Sequence, residues 1–210
     1  MSWPQGLFET LERVPTGVPY ALLLRHAERF EITQGAFGHE VPLKPAGLEA
    51  AHKLGALLPQ APVKAYHSPL FRCQQTAEAI LSGAQSDLRP TRLDPLFLAY
   101  FKDLNAAEAI LQARHVRHVV TALTHREPVD GMRSLDEGSQ ELLSWLLSPQ
   151  EPGLHLFCSH DHILCLLNHY IRQLEGFDAS FWPDYLEGMA FWREGDRAYA
   201  AFRGERLDLT

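Results

Sequence analysis

The feature that most constrains this chain is a recurring pair: a short apolar run, followed by a segment whose apolar residues return at helical spacing. Residues 20–24 (YALLL) form a continuous apolar run with the length and bounds of a buried strand, and residues 63–66, 116–123 and 154–158 read the same way. Between these runs lie helical patterns. Residues 45–58 put Leu48, Ala51, Leu54 or Gly55, and Leu58 on one face. Residues 69–81 follow Ser68 as N-cap with Pro69 at the first helical position, and Ser134 and Glu137 have capping-box spacing ahead of residues 135–147. Residues 161–171 follow a strand directly. Strand alternating with helix predicts an α/β fold, a three-layer sandwich with a mostly parallel central sheet and helices on both faces. Residues 186–193 and 198–203, on either side of Glu194-Gly195-Asp196, predict a C-terminal hairpin at the sheet edge.

At 210 residues the chain is long enough to bury a core without disulfides or a structural metal, and a single domain over 1–210 is expected, with residues 1–17 as an N-terminal arm. The polar loop 30–41 has the length of a binding loop or lid, and residues 100–133 are a candidate substrate lobe. A net charge of -7 has the wrong sign for a protein that neutralises nucleic-acid phosphates. No apolar run approaches the roughly 20 residues that cross a bilayer, and residues 1–14 lack the basic and apolar regions of a leader. A cytoplasmic protein is expected, with partners among small phosphorylated molecules or phosphoproteins rather than nucleic acid or membrane. Cys73, Cys158 and Cys165 are odd in number, form no CxxC pair and fit reduced core thiols.

In open parallel sheets the ligand crevice lies outside the carboxyl ends of the strands. Here four predicted strand ends deliver Arg25-His26, His67-Ser68 with Arg72 one turn later, Thr124-His125-Arg126, and Ser159-His160-Asp161-His162. Helix starts at Ser68 and Asp161 add backbone N–H groups that favour an anion. A phosphoryl group needs several donors around its equatorial oxygens, an in-line nucleophile and an acid for the leaving oxygen. Arginine supplies planar, permanently charged donors, and neutral imidazole can attack phosphorus without first losing a proton. No Walker loop or GxGxxG is present, so no nucleotide cofactor is expected.

Four stretches, LLLRHAE at 22–28, LKPAG at 43–47, HSPLFRCQQTA at 67–77 and FCSHD at 157–161, resemble in order the motifs of the histidine phosphatase superfamily, which includes the phosphoglycerate mutases and the histidine acid phosphatases. The resemblance implies that His26 is a nucleophile forming a phosphohistidine and that Arg25, Arg72 and His160 grip the phosphoryl oxygens. Arg29 matches the second arginine of the acid phosphatase branch. The residue after the nucleophile is Ala27, where the family usually has glycine. Mutase-like members take their acid from a glutamate just after the third strand, and the comparable stretch 93–98 (LDPLFL) has none. The acid phosphatases use the aspartate of a His-Asp pair, which points to Asp161, with Glu28 and Asp94 as other candidates. His125 and His162 are candidate pocket residues.

The expected activity is therefore metal-independent hydrolysis of a phosphomonoester. A mutase that returns the phosphoryl group to its substrate is the near alternative. A metal-dependent hydrolase centred on His160 and His162, and a phosphate-binding protein without turnover, are alternatives of other classes.

Overall fold

The computed structural model describes residues 5–33 and 35–210, so Met1–Pro4 of the expected arm and Gln34 of the expected loop lie outside the described residues. Seven strands form one sheet: β1 (Pro19–Arg25), β2 (Lys64–His67), β3 (Thr91–Arg92), β4 (Gly153–Ser159), β5 (Gly188–Glu194), β6 (Arg197–Phe202) and β7 (Glu205–Asp208), in the spatial order β3-β2-β4-β1-β5-β6-β7. The first four pair in parallel, and β5, β6 and β7 add antiparallel. Arg25 stands beside Ser159, and His67 beside Cys158, so the carboxyl ends of β1, β2 and β4 form one edge. β5 runs the other way, with Gly188 beside Leu24, so its amino end reaches that same edge.

Alternation along the strands separates two cores, as the pleat requires. Tyr20, Leu22, Leu24, Leu156 and Cys158 pack with helices α1 (Gln5–Leu11), α2 (Pro45–Leu57) and α3 (Phe71–Gly83). Ala21, Leu23, Phe157 and Phe191 pack with α4 (Pro95–Leu98), α6 (Val116–Thr124), α7 (Leu135–Leu146) and α8 (Asp161–Ile171). Helix α5 (Leu104–Ala113) joins a third, smaller cluster of Phe37, Leu70, Phe97, Phe101 and Ala107 beside the sheet edge. The three-layer sandwich is the expected one.

Several local expectations change. Residues 116–123 are not a strand but most of α6: Val116, Val119, Val120 and Leu123 recur at i, i+3, i+4 and i+7, and this helical period prevails over their β-branched composition. His115 caps that helix by accepting from the Arg117 backbone N–H. The buried face of α2 is Gly47, Ala51, Leu54 and Gly55, with Leu48 turned outward at 37% exposure. Small residues win that face because α2 and α3 approach closely; a Cβ on Gly55 would collide with the Ile80 carbonyl. Helix α3 begins at Phe71 after Leu70 as N-cap, two residues beyond the expected start, and the Ser68 hydroxyl is engaged elsewhere. The capping box of Ser134 and Glu137 is present, and α8 follows β4 directly.

The expected hairpin is a three-stranded meander. Gly195, at φ +60°, opens the β5–β6 turn, and Arg203-Gly204, both at positive φ, make the second turn into β7. The described part of the arm, residues 5–17, contains α1, whose Leu7 and Leu11 are buried in the first core. Cys73, Cys158 and Cys165 are all buried in the two large cores. Among the described residues no helix is long and apolar enough to cross a membrane.

Candidate active site

At the carboxyl edge of the parallel strands, β1 ends in Arg25 and hands over to His26, whose backbone N–H donates to the Ser159 carbonyl at 2.9 Å. The His26 ring is 3% exposed. Its Nδ1 lies 2.8 Å from the Ala27 carbonyl oxygen, which can only accept, so Nδ1 carries the proton and Nε2 presents a lone pair. Arg72, the second residue of α3, donates from Nε to that Nε2 at 3.2 Å. Ala27 is held in turn by Thr76, whose hydroxyl accepts from the Ala27 N–H at 3.0 Å and donates to the Arg72 carbonyl at 2.7 Å.

His160, at the end of β4, meets His26 edge-on with ring centroids 5.5 Å apart. Its Nδ1 accepts from the Arg72 Nη2 at 3.3 Å, so its Nε2 carries the proton and donates to the Ser68 hydroxyl at 2.7 Å. The remaining Arg72 nitrogen, Nη1, donates to the carbonyls of Phe37 and Gly38, which ties the loop 30–41 to the cradle. Gly38 sits at φ +58°, and a Cβ there would press on Ile32 at 2.7 Å, so only glycine offers its carbonyl in this way without strain.

Burial in this apolar surround, reinforced by the Arg72 charge, holds both His26 and His160 well below the usual imidazole pKa. They are neutral at pH 7. Asp161 opens α8 and pairs with the Arg25 Nη2 at 2.9 Å, while its other oxygen accepts from the His162 backbone N–H at 2.8 Å and lies 3.5 Å from the His162 Nδ1. Burial alone would raise its pKa, but the interactions with His162 and the Arg25 charge outweigh it and hold the carboxyl below the usual carboxylate range. Arg25 also donates to the Pro183 carbonyl and lies 4.0 Å above the Tyr185 ring.

Three buried nitrogens at this edge, Arg25 Nε, Arg29 Nε and His162 Nε2, have no partner among the described residues. The two guanidinium nitrogens are donors without an acceptor, and a buried donor left so is costly, so they are suited to an acceptor brought in by a ligand. Two arginines and two neutral imidazoles around it favour an anion. The edge opens into a cavity of about 610 Å³ that is lined by Arg29, Arg72, Asp161 and His162 on one side and by Phe37, Phe97, Phe101, Val119 and Val120 on another. A larger depression of about 750 Å³, beyond the end of α3, is an open surface groove remote from these side chains.

Arg25, His26, Arg29, Arg72, His160, Asp161 and His162 are thus brought together. Glu28 and His125 are not. Glu28 is turned to Lys44, with Oε1 2.6 Å from Nζ, and does not line the cavity. Asp94 is exposed and paired with Arg92. His125, expected at a strand end, is the C-cap of α6; its Nδ1–H donates to the Thr121 carbonyl at 2.7 Å, and it borders a separate depression with Gln173 and Gly176. Among the described residues no group of three or more His, Cys, Asp or Glu is arranged to hold a metal ion.

A family model described as the histidine phosphatase superfamily (branch 1) matches residues 21–186. The chain belongs to the histidine phosphatase superfamily. None of the curated proteins matches it in sequence. Solved structures of this superfamily's fold are similar over nearly the whole chain. A phosphoglycerate mutase from Bacillus anthracis has 16% identity and a TM-score of 0.56, with 92% of each chain covered. A putative alpha-ribazole-5'-P phosphatase from Escherichia coli has 20% identity and a TM-score of 0.58, covering 91% of this chain and 96% of its own. A phosphoserine phosphatase from Entamoeba histolytica, solved with phosphoserine, has 14% identity and a TM-score of 0.58, covering 91% and 95%. At these identities the likeness is one of fold.

In this member of the histidine phosphatase superfamily the sequence alone gives no expectation for Thr76, Tyr185 or the orienting contact of Ser68. Ser68 stands out in the sequence as a polar residue at a strand end and a helix start, whereas its hydroxyl meets the His160 ring. Tyr185 carried no signal, because its place depends on β5 entering the sheet beside β1.

Proposed function

We propose that this histidine phosphatase family member hydrolyses a phosphomonoester through a phosphohistidine on His26, without a metal, in the cytoplasm. The observation that carries the reading is the fixed tautomer of His26: Nδ1–H is committed to the Ala27 carbonyl, so Nε2 holds the lone pair beside Arg72. That nitrogen is the nucleophile. In the free protein the Arg72 Nε–H points at it, and an arriving phosphoryl oxygen takes over that donor and frees the lone pair. Arg25, Arg29 and Arg72 bind the equatorial oxygens, and the unpartnered Nε atoms of Arg25 and Arg29 find acceptors there; His160 joins them by moving its proton to Nδ1, with Nε2 then accepting from the Ser68 O–H.

In the first step Nε2 bonds to phosphorus as the ester P–O bond breaks, and Asp161 gives its proton to the departing alkoxide. Asp161 is ionised before substrate binds and takes up one proton from solvent as the phosphoryl group enters. A bound phosphoryl dianion competes for Arg25 and adds negative charge nearby, and both effects raise the proton affinity of the carboxyl. In the second step water bonds to phosphorus, its proton passes to the Asp161 carboxylate, and the N–P bond breaks to release inorganic phosphate.

The test is a brief exposure to labelled phosphomonoester followed by a denaturing quench. An acid-labile, base-stable label is expected on the wild-type chain and absent in His26→Ala, with turnover lost by on the order of 10⁴-fold. A label that persists in the variant overturns the nucleophile, and transfer of label to an added alcohol in preference to water marks a mutase instead.

A further inference from the structure

The phosphate cradle occupies only one end of its cavity, and the remainder has a chemistry of its own. Beyond Arg29, Arg72, Asp161 and His162, the wall is built from Phe37, Phe101, Leu111, Val116, Val120 and Met132. Phe37 and Phe101 are 7% and 6% exposed and meet edge-on with ring centroids 5.5 Å apart, which gives this wall a fixed aromatic side. Among the described residues, the other polar side chains of the lining, Glu31, Gln112 and His115, are all exposed. Two of them are already engaged: His115 caps α6, and Gln112 reaches Glu108.

This distribution discriminates between leaving groups. A hydroxylated alcohol such as a sugar would exchange water for a wall without side-chain partners, and each unsatisfied hydroxyl is penalised. An alkyl or aryl group loses nothing there and gains by leaving water. At about 610 Å³ the space is of the size that takes a small organic ligand. We infer that the substrate is the phosphomonoester of an apolar alcohol, aliphatic or aromatic, whose body lies against the Phe37, Phe101, Leu111 and Met132 wall while its phosphoryl group sits in the cradle. The inference rests on the proposed function for the position of the phosphoryl group, and it adds the class of the alcohol.

Calorimetric titration of the whole protein with n-alkylphosphonates tests it without requiring turnover. From methyl to butyl to hexyl, affinity should tighten by about fourfold per buried methylene. A chain of equal length carrying hydroxyls should bind no better than methylphosphonate. The ratio of hexyl to methyl affinity should shrink in Leu111→Asn, and in Met132→Ser as a second variant; being a ratio, it is independent of the folded fraction. Equal affinity along the series, a tighter hydroxylated chain, or a ratio unchanged in both variants would each overturn the inference. Absence of binding by every phosphonate overturns it together with the cradle. Chain-length-dependent binding without hydrolysis of hexyl phosphate keeps the apolar class and overturns the phosphatase reading alone.

Discussion

The two ends of the cavity are held in opposite ways. At the sheet edge, His26, Arg72 and His160 are held by directional hydrogen bonds to one another, to Ser68 and to the carbonyls of Ala27, Phe37 and Gly38, and both imidazole rings are almost fully buried. At the lobe formed by α5, α6 and the residues after them, the apolar side chains that face the cavity are held by packing, with Leu111, Val116 and Met132 only half-buried. Directional bonds fix positions to a few tenths of an ångström, as reacting atoms demand, whereas apolar walls fix only a shape. The first end is suited to one reaction, and the second to choosing which molecule undergoes it.

Arg72 is where this contrast can be broken most forcefully. It touches both imidazoles and the loop carbonyls, so Arg72→Ala should lower kcat/KM by about 10²- to 10³-fold, the range for removal of one preorganised donor. The loss should be the same for every leaving group, since the cradle meets only the phosphoryl end. Lysine should restore little, because a single ammonium cannot reach two imidazoles and two carbonyls. A loss that varies with the alcohol would mean that the two ends are not separate.

Asp161 lies at the junction and should divide substrates by chemistry rather than by size. Asp161→Asn keeps the shape and an acceptor for the His162 N–H, but it has no proton to give. Steady-state rates on an alkyl phosphate should fall by about a hundredfold, while an aryl phosphate with a good leaving group should lose much less. Equal losses would assign Asp161 to holding Arg25, and with it the phosphate, instead of to proton transfer.

The same contrast explains what the sequence disclosed. Residues of the cradle sit at ends of β1, β2 and β4, where a short apolar run stops at a charged residue, and such junctions are visible in one dimension. The helix start at Asp161 and the capping box at Ser134 are equally local. The lobe is not local. Its α6 has a β-branched composition, and its identity as a helix shows only in the period of the valines. The cavity wall joins Phe37 from the loop 30–41 with Phe101, Leu111 and Met132 from the segment 100–133; the two stretches stand out in the sequence as pocket candidates, but nothing in the spacing singles out these four residues. Taking α6 for a strand also put His125 at the wrong edge, so a single misread period displaced a site residue.

The smallest expected effect concerns the cradle alone and is a matter of stability. Burial first, and the Arg72 charge second, keep His26 and His160 neutral where free imidazole begins to protonate, and burial acts on His169 in α8 in the same direction. Below about pH 6.5 the unfolded chain therefore binds protons that the native chain refuses, so stability falls as pH falls from 6.5 toward the depressed native values. His26 and His160 should each remove up to about 1 kcal/mol between pH 6.5 and 5.5, and the less strongly shifted His169 a smaller amount. Urea unfolding across that interval should show the decline, and His26→Asn should make it shallower by one histidine's share. An unchanged slope in the variant would mean that His26 already accepts a proton in the native site near pH 6, and that the imidazole which must attack phosphorus is not held neutral by its surroundings.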